Sequence, residues 1–373
     1  MSKFKLTSPS STLMKKSKIW HLYATATILL VVLTGIILHS RSGAPNPSKQ
    51  PQSSTPSPQQ GPAASSTPLS LAPKPSKTGD PESVEELSAF IRKFSAQGGD
   101  ANALYARIAG MRLPEKTWWR SATDFSSLLE LSTDATVSEA GRTAALRLFV
   151  AGVPKSELEK QADSLQATFS DASDAMVSAL LQDMADRKVA PRTLILLTLE
   201  NPQRGENARC LAWYAARLTD STNPTLVSHA IKESASGCTV NSKVAFDFLA
   251  AAPHSAQFET APALRQTVDD LVAKAMKLPA AAGIMEMANA DAFIIALPNL
   301  MEEARAKQTF LSLLNNAPNP EVRLSALEQI VKRQTTGTDD MSSELDSIRK
   351  NITSIFPDEA KQIRANALLK RIQ

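Results

Sequence analysis

Twenty consecutive residues, Ile19–Leu38 (IWHLYATATILLVVLTGIIL), contain no Asp, Glu, Lys or Arg. As a helix this stretch is about 30 Å long, which matches the hydrocarbon core of a bilayer. It is read as a single transmembrane helix. The tail before it, residues 1–18, carries Lys3, Lys5, Lys15, Lys16 and Lys18 and no acid. Only Arg41 and Lys49 follow within the first dozen residues. That asymmetry orients the N-terminus to the cytoplasm and the rest of the chain to the far side, and Trp20 and Tyr23 suit the headgroup zone. The competing reading is a cleaved signal peptide. The small-x-small site nearby, Ser42-Gly43-Ala44, is followed by Pro45, and the apolar core is longer than an ordinary signal core, so the uncleaved anchor is preferred. The expected address is an inner (plasma) membrane, single-pass, with a periplasmic C-terminal domain.

This division explains a misleading charge. The chain has a formal net charge of +4. Residues 1–80 hold nine Lys and Arg against one acid, and residues 81–373 hold 32 against 36, a net of −4. The body is therefore mildly acidic and lacks the basic footprint of a nucleic-acid binder. Residues 39–80 form a linker, with nine Pro and nine Ser between positions 41 and 80 and only two Leu. Such a composition buries too little apolar surface to fold, and the expected state is a disordered, extended tether reaching on the order of 120 Å at most.

Residues 81–373 hold nine glycines, and no stretch alternates at period two. Apolar residues recur at three and four instead, as in Val84, Leu87, Ile91 and Phe94, so the fold class is all-α. Asp80 is expected to cap the first helix and Gly98-Gly99 to end it. Helices are expected near 82–97, 101–110, 115–131, 135–151, 155–168, 172–188, 191–200, 205–219, 224–236, 240–251, 262–277, 280–289, 299–315, 320–334, 341–355 and 358–372, with Pro114, Pro154, Pro262, Pro298 and Pro357 near helix starts. Short helices with short links point to stacked hairpins. Segments beginning at Asp134, Asn223 and Asn319 look alike and start 89 and 96 residues apart, which fits two units of about 45 residues each.

Residues 319–333 (NPEVRLSALEQIVKR) resemble the second helix of repeats in the HEAT/armadillo-like superfamily, which runs Asp/Asn-Pro-x-Val-Arg and then Ala and Leu or Ile. The resemblance implies an α-solenoid of HEAT-like hairpins, with Val322, Ala326 and Ile330 facing the neighbouring helix and Arg323 pairing with an Asp of the stack. It implies a protein-binding scaffold and no catalytic residues.

The chemistry-bearing residues are sparse. The four histidines, His21, His39, His229 and His254, have no second ligand at metal spacing, and neither a Gly-x-Ser-x-Gly elbow nor a phosphate-cradling glycine loop occurs. No catalytic, cofactor or metal residue is nominated. The acidic doublets Asp269-Asp270 and Glu302-Glu303 read as solvated helix surface, because adjacent helical residues point apart. Met285 and Met287 with Ala280–Ala282 read as core packing or as an adaptable groove. Cys210 and Cys238 lie on the expected oxidising side, where a disulfide competes with two buried thiols. Trp118-Trp119 is the aromatic pair most suited to a partner or glycan surface, against the alternative of one core ring beside a half-exposed one.

The leading expectation is a membrane-anchored extracytoplasmic scaffold with protein partners, bound to the membrane through Ile19–Leu38. The alternative is a peptidoglycan- or glycan-processing enzyme with a helical superhelix, which needs a carboxylic acid in a cleft beside Trp or Tyr. A plain structural spacer is the third reading.

Overall fold

The computed structural model describes residues 79–338 and 340–372. The expected transmembrane segment Ile19–Leu38 and almost all of the linker lie outside them. Among the described residues no helix is long and apolar enough to cross a membrane. Lys77–Gln373 forms one compact unit. Its described residues fold into nineteen α-helices and two 3-10 turns, with no strand.

The first four helices are α1 (Val84–Ala96), α2 (Ala101–Gly110), α3 (Thr117–Ser121) and α4 (Ser126–Thr133). Next come α5 (Glu139–Gly152), α6 (Lys155–Phe169), α7 (Asp174–Asp186), α8 (Arg192–Glu200) and α9 (Glu206–Thr219). The middle of the unit is α10 (Pro224–Ser236), α11 (Val240–Leu249), α12 (Ser255–Thr260), α13 (Pro262–Met276) and α14 (Ile284–Leu300). It closes with α15 (Glu303–Asn316), α16 (Pro320–Thr336), α17 (Ser342–Lys350), α18 (Ile352–Ile355) and α19 (Glu359–Leu369).

Two layers emerge from the packing. Helices α5, α7, α9, α11, α14, α16 and α19 lie one against the next as a second layer. In the first layer α6 packs on α8, α10 on α13, and α13 on α15. The arrangement is compatible with a helical-repeat fold. The second-layer starts, Glu139, Asp174, Glu206, Val240, Ile284, Pro320 and Glu359, are separated by 35, 32, 34, 44, 36 and 39 residues. The unit is thus shorter than the expected 45, and the one long step is where α12 is inserted. The expected register also joined unlike elements: the 223 segment is a first-layer helix, whereas the 134 and 319 segments lead into second-layer helices. Asn223 and Asn319 look alike because each caps a helix. Asn223 Oδ1 accepts from the Thr225 and Leu226 amides and Asn319 Oδ1 from those of Glu321 and Val322.

Several boundaries move for local reasons. The expected helix 115–131 is broken between Ser121 and Ser126, where Ala122 is extended and the Asp124 carboxylate accepts the Ser126 amide at 2.8 Å. The break turns Phe125 into the core against Gly152, where a Cβ would lie 2.2 Å from its ring. Ser83, not Asp80, caps α1, and the Asp80 carboxylate takes Lys116 at 3.2 Å instead. Pro298 does not open a helix; it sits inside α14, whose end is pinned by the His254 amide donating to Asn299 O at 2.7 Å.

Second-layer helices approach through small buried residues: Ala144 and Ala145 on α5, Ala179 and Ala185 on α7, Ala212 and Ala216 on α9. Val322, Ala326 and Ile330 are each fully buried, as the sequence pattern requires. Arg323 departs from expectation. It donates to the carbonyls of Ala317 and Ile355, at the ends of α15 and α18, and meets no Asp there. The same device recurs. Arg187 donates to the carbonyls of Val150, Ala151 and Val153 at the end of α5. Arg204 does so for Ser170 and Ala172 after α6, and holds Asp174 at 3.0 Å.

These contacts predict that Arg187→Met lowers the unfolding free energy by about 2–3 kcal/mol, the loss expected when charge-assisted bonds to helix-end carbonyls are removed. Urea unfolding of the helical unit measures it, and a loss below about 0.5 kcal/mol would sink the clamp. The adjacent Lys188 ends α7 with φ 57°, a left-handed conformation. Lys188→Gly is expected to raise stability by about 0.5–1 kcal/mol in the same assay.

Candidate interaction surfaces

Trp118 and Trp119 sit on α3, whose five residues follow the 3-10 turn Leu113–Glu115. Trp119 is buried, with its ring 5.2 Å from Phe125 in a T-shaped contact. Trp118 is half-buried, 5.8 Å from Trp119 and edge-on to it. Trp119 forms part of a cleft of about 600 Å³ that also involves Leu113, Pro114, Leu148 and Pro154. Arg112 and Arg120 also line it. Arg120 Nε donates to Pro114 O at 2.8 Å, and Arg112 lies 3.8 Å from Glu115. The lining of the cleft is thus mainly apolar, with two arginines in it. Sequence reasoning picked the tryptophans but not the two arginines, which come to line one cleft only through the turn before α3.

A second groove, of about 540 Å³, lies over α14, α16 and α19. Leu324 and Ser325 of α16 line it, with Met287 of α14 and Leu368 of α19 on either side. Its charges are largely tied to one another. Glu321 takes Lys361 and Arg364, and Glu328 lies 3.7 Å from Arg371. Met285, read from sequence as core or groove, is 37% exposed, and Met287 is half-buried in the groove. Ala280 and Ala281 are on the surface and do not form core.

Several titratable residues elsewhere are held in structural pairs. Asp183 on α7 takes Arg147 of α5 in two hydrogen bonds, of 2.9 and 3.0 Å. Burial pushes its carboxyl above the ordinary range, while Arg147 pulls the other way. Asp186 accepts from the Tyr214 hydroxyl at 2.7 Å; burial, then that bond, pushes the phenol up to about 12. Of these two carboxylates, Asp186 is the one bonded to a tyrosine, and both the Arg147–Asp183 and the Tyr214–Asp186 contacts join successive second-layer helices. His229 lies 3.4 Å from Glu200 at the surface, and His254 is buried with its ring stacked on Phe248. Asp269 meets Arg305, Glu303 lies 3.3 Å from Arg333, and Asp340 accepts the Ser342 amide at 3.1 Å. Among the described residues, no group of three or more His, Cys, Asp or Glu side chains is placed to hold a metal ion.

Cys210 and Cys238, for which a disulfide competes with two thiols on sequence grounds, are free thiols in this structure. Cys210 points from α9 to Asn241 of α11, donating to its Oδ1 at 3.0 Å. Burial pushes this thiol up to about 12, with the carboxylates of Glu206 and Glu233 adding to the effect. Cys238 lies in the loop between α10 and α11, half-buried beside Phe246 and Phe293.

Comparison with protein-family profiles, curated proteins and solved structures gives no significant match.

The thiolate is the reacting species, so Cys210 should alkylate far more slowly than Cys238 at pH 8. Iodoacetamide labelling followed by peptide mass measurement checks this order. Equal rates would refute it, and a non-reduced mass two hydrogens lighter would restore the disulfide.

Proposed function

We propose that the chain is a membrane-anchored, extracytoplasmic scaffold that binds protein partners on a HEAT-like α-solenoid. In this reading Ile19–Leu38 anchors it in the inner membrane with residues 1–18 in the cytoplasm. The linker lets the helical body act in the periplasmic space, and tethering raises its local concentration near membrane partners. The observation that carries the reading is the second layer. Its successive helices leave an open groove across α14, α16 and α19, walled by side chains whose charges are mostly spent on one another. Such a wall favours contact area and shape over acid–base chemistry. The tyrosine-bonded carboxylate Asp186 and its neighbour Asp183, the kind of group the glycan-enzyme alternative would need, are engaged in pairs between helices. The resemblance of residues 319–333 to HEAT helices supports the same conclusion, as do the fully buried Val322, Ala326 and Ile330.

The test is chemical cross-linking of the full chain in membranes of its own host, with residues 81–373 alone as the untethered comparison. The expected result is a reproducible protein adduct on the helical body that weakens when the anchor is removed. Repeated absence of any adduct, together with measurable cleavage of a glycan substrate by the purified chain, would replace the scaffold with the enzyme.

A further inference from the structure

The groove over α14, α16 and α19 has an apolar edge that the unit leaves uncovered. Ile284, Ala288, Asp291 and Ile295 are spaced by four, three and four residues, so they form one stripe along α14. Ala288 and Asp291 line the groove, and the isoleucines continue its edge, with Ile284 88% and Ile295 40% exposed. Across the floor, Ile363 of α19 is 63% exposed and stands one turn before Ala367, which lines the opposite wall. A stripe from residue 284 to 295 is about 16 Å long, three turns of helix. Isolated exposed apolar residues are ordinary, but three large ones edging a single groove mark an interaction site.

The charges select the occupant. Glu321 and Glu328 already have Arg and Lys partners within the groove. Among the described residues, the hydrogen-bond partner of Asp291 is the Ser325 hydroxyl, which donates to its Oδ1 at 2.6 Å. The groove's arginines, Arg364 and Arg371, are taken up by Glu321 and Glu328, so the exposed carboxylate held by a neutral donor is left to complement a cation carried on an apolar surface.

We propose that this groove receives an amphipathic helix of a partner protein, with an apolar stripe against Ile284, Ile295 and Ile363 and a Lys or Arg placed on Asp291. A helix supplies apolar side chains at the three- and four-residue spacing that the α14 stripe presents. This inference rests on the scaffold reading and names the chemistry of its partner.

The test uses the full chain in zwitterionic nanodiscs, with empty nanodiscs subtracted. The probes are two fluorescent 15-residue amphipathic helices, one of Leu and Lys and one of Leu and Glu. Anisotropy is expected to show the Leu/Lys peptide binding roughly two- to fivefold more tightly than its twin, the worth of one exposed charge pair. Asp291→Lys should reverse that order. Ile284→Asp and Ile363→Asp should each weaken the Leu/Lys peptide about tenfold or more, the loss of a buried apolar anchor. Leu197→Asp, on the first-layer helix α8, should leave binding unchanged, as a control for folding and general stickiness. Three results would overturn the proposal: no binding of either peptide, an order that Asp291→Lys leaves intact, or light scattering showing a dimer of this chain that Ile284→Asp dissolves. If cross-linking still captures a partner at the Trp119 cleft while both peptides fail, only the groove assignment falls and the scaffold reading stands.

Discussion

Every α-helix leaves its last carbonyls without intrahelical donors, and a unit built from short helices multiplies that debt. The usual remedy is a left-handed glycine after the last turn, but this body has only nine glycines to distribute. It uses arginines from the next hairpin instead. Arg187 reaches back 34 to 37 residues to the end of α5, and Arg204 reaches 32 to 34 residues to the end of α6. Arg323 reaches forward 32 residues to Ile355. These separations match the 32- to 39-residue step between most second-layer helices. Capping and stacking are therefore one interaction here: a helix end is satisfied only when its neighbour is in place, so the hairpins support one another in sequence.

Polar pairs along the layers follow the same step. Arg147 with Asp183, Ser173 with Glu139, Arg305 with Asp269 and Ser325 with Asp291 are each 34 to 36 residues apart. Between α5 and α7, the buried alanines Ala144, Ala145, Ala179 and Ala185 leave room for the helices to approach where Ser173 bridges to Glu139 and Arg147 to Asp183. A unit assembled this way draws its stability from nearest-neighbour interfaces. Its surface consists of the outward faces of each layer, interrupted by grooves where consecutive helices are unequally filled.

Much of the helix content was legible because it rests on local chemistry. Ala101–Gly110 and Pro224–Ser236 fall where their Asp100 and Asn223 caps and terminal Gly residues place them. The same signals misled at longer range. An Asn-Pro cap marks a helix start in either layer, so Asn223 and Asn319 could not reveal which layer they opened, and the inferred unit was too long. Pro298 signals a start because proline usually interrupts a helix, yet α14 carries it in its last turn, and the loop at His254 secures the end. The partner of Arg323 was unreadable for a related reason. A backbone carbonyl has no sequence signature, and any residue at position 355 would supply one. The grooves were less legible still, since they depend on residues such as Ile284 and Ile363, whose spacing says apolar face but not which face remains uncovered.

This difference bears on what the unit is built to do. A catalytic carboxylate needs an environment that sets its acidity and leaves it free to meet substrate. Asp183 has its acidity shifted by burial, but Arg147 occupies both of its oxygens, and Asp186 is held by Tyr214. Their bonds join neighbouring helices, so freeing either would loosen the stack. Asp291 is the contrasting case. It is exposed, its hydrogen bond among the described residues comes from the neutral Ser325 hydroxyl on the next second-layer helix, and apolar side chains that the fold leaves uncovered lie along the same helix face. Stacking consumes the first kind of carboxylate and spares the second.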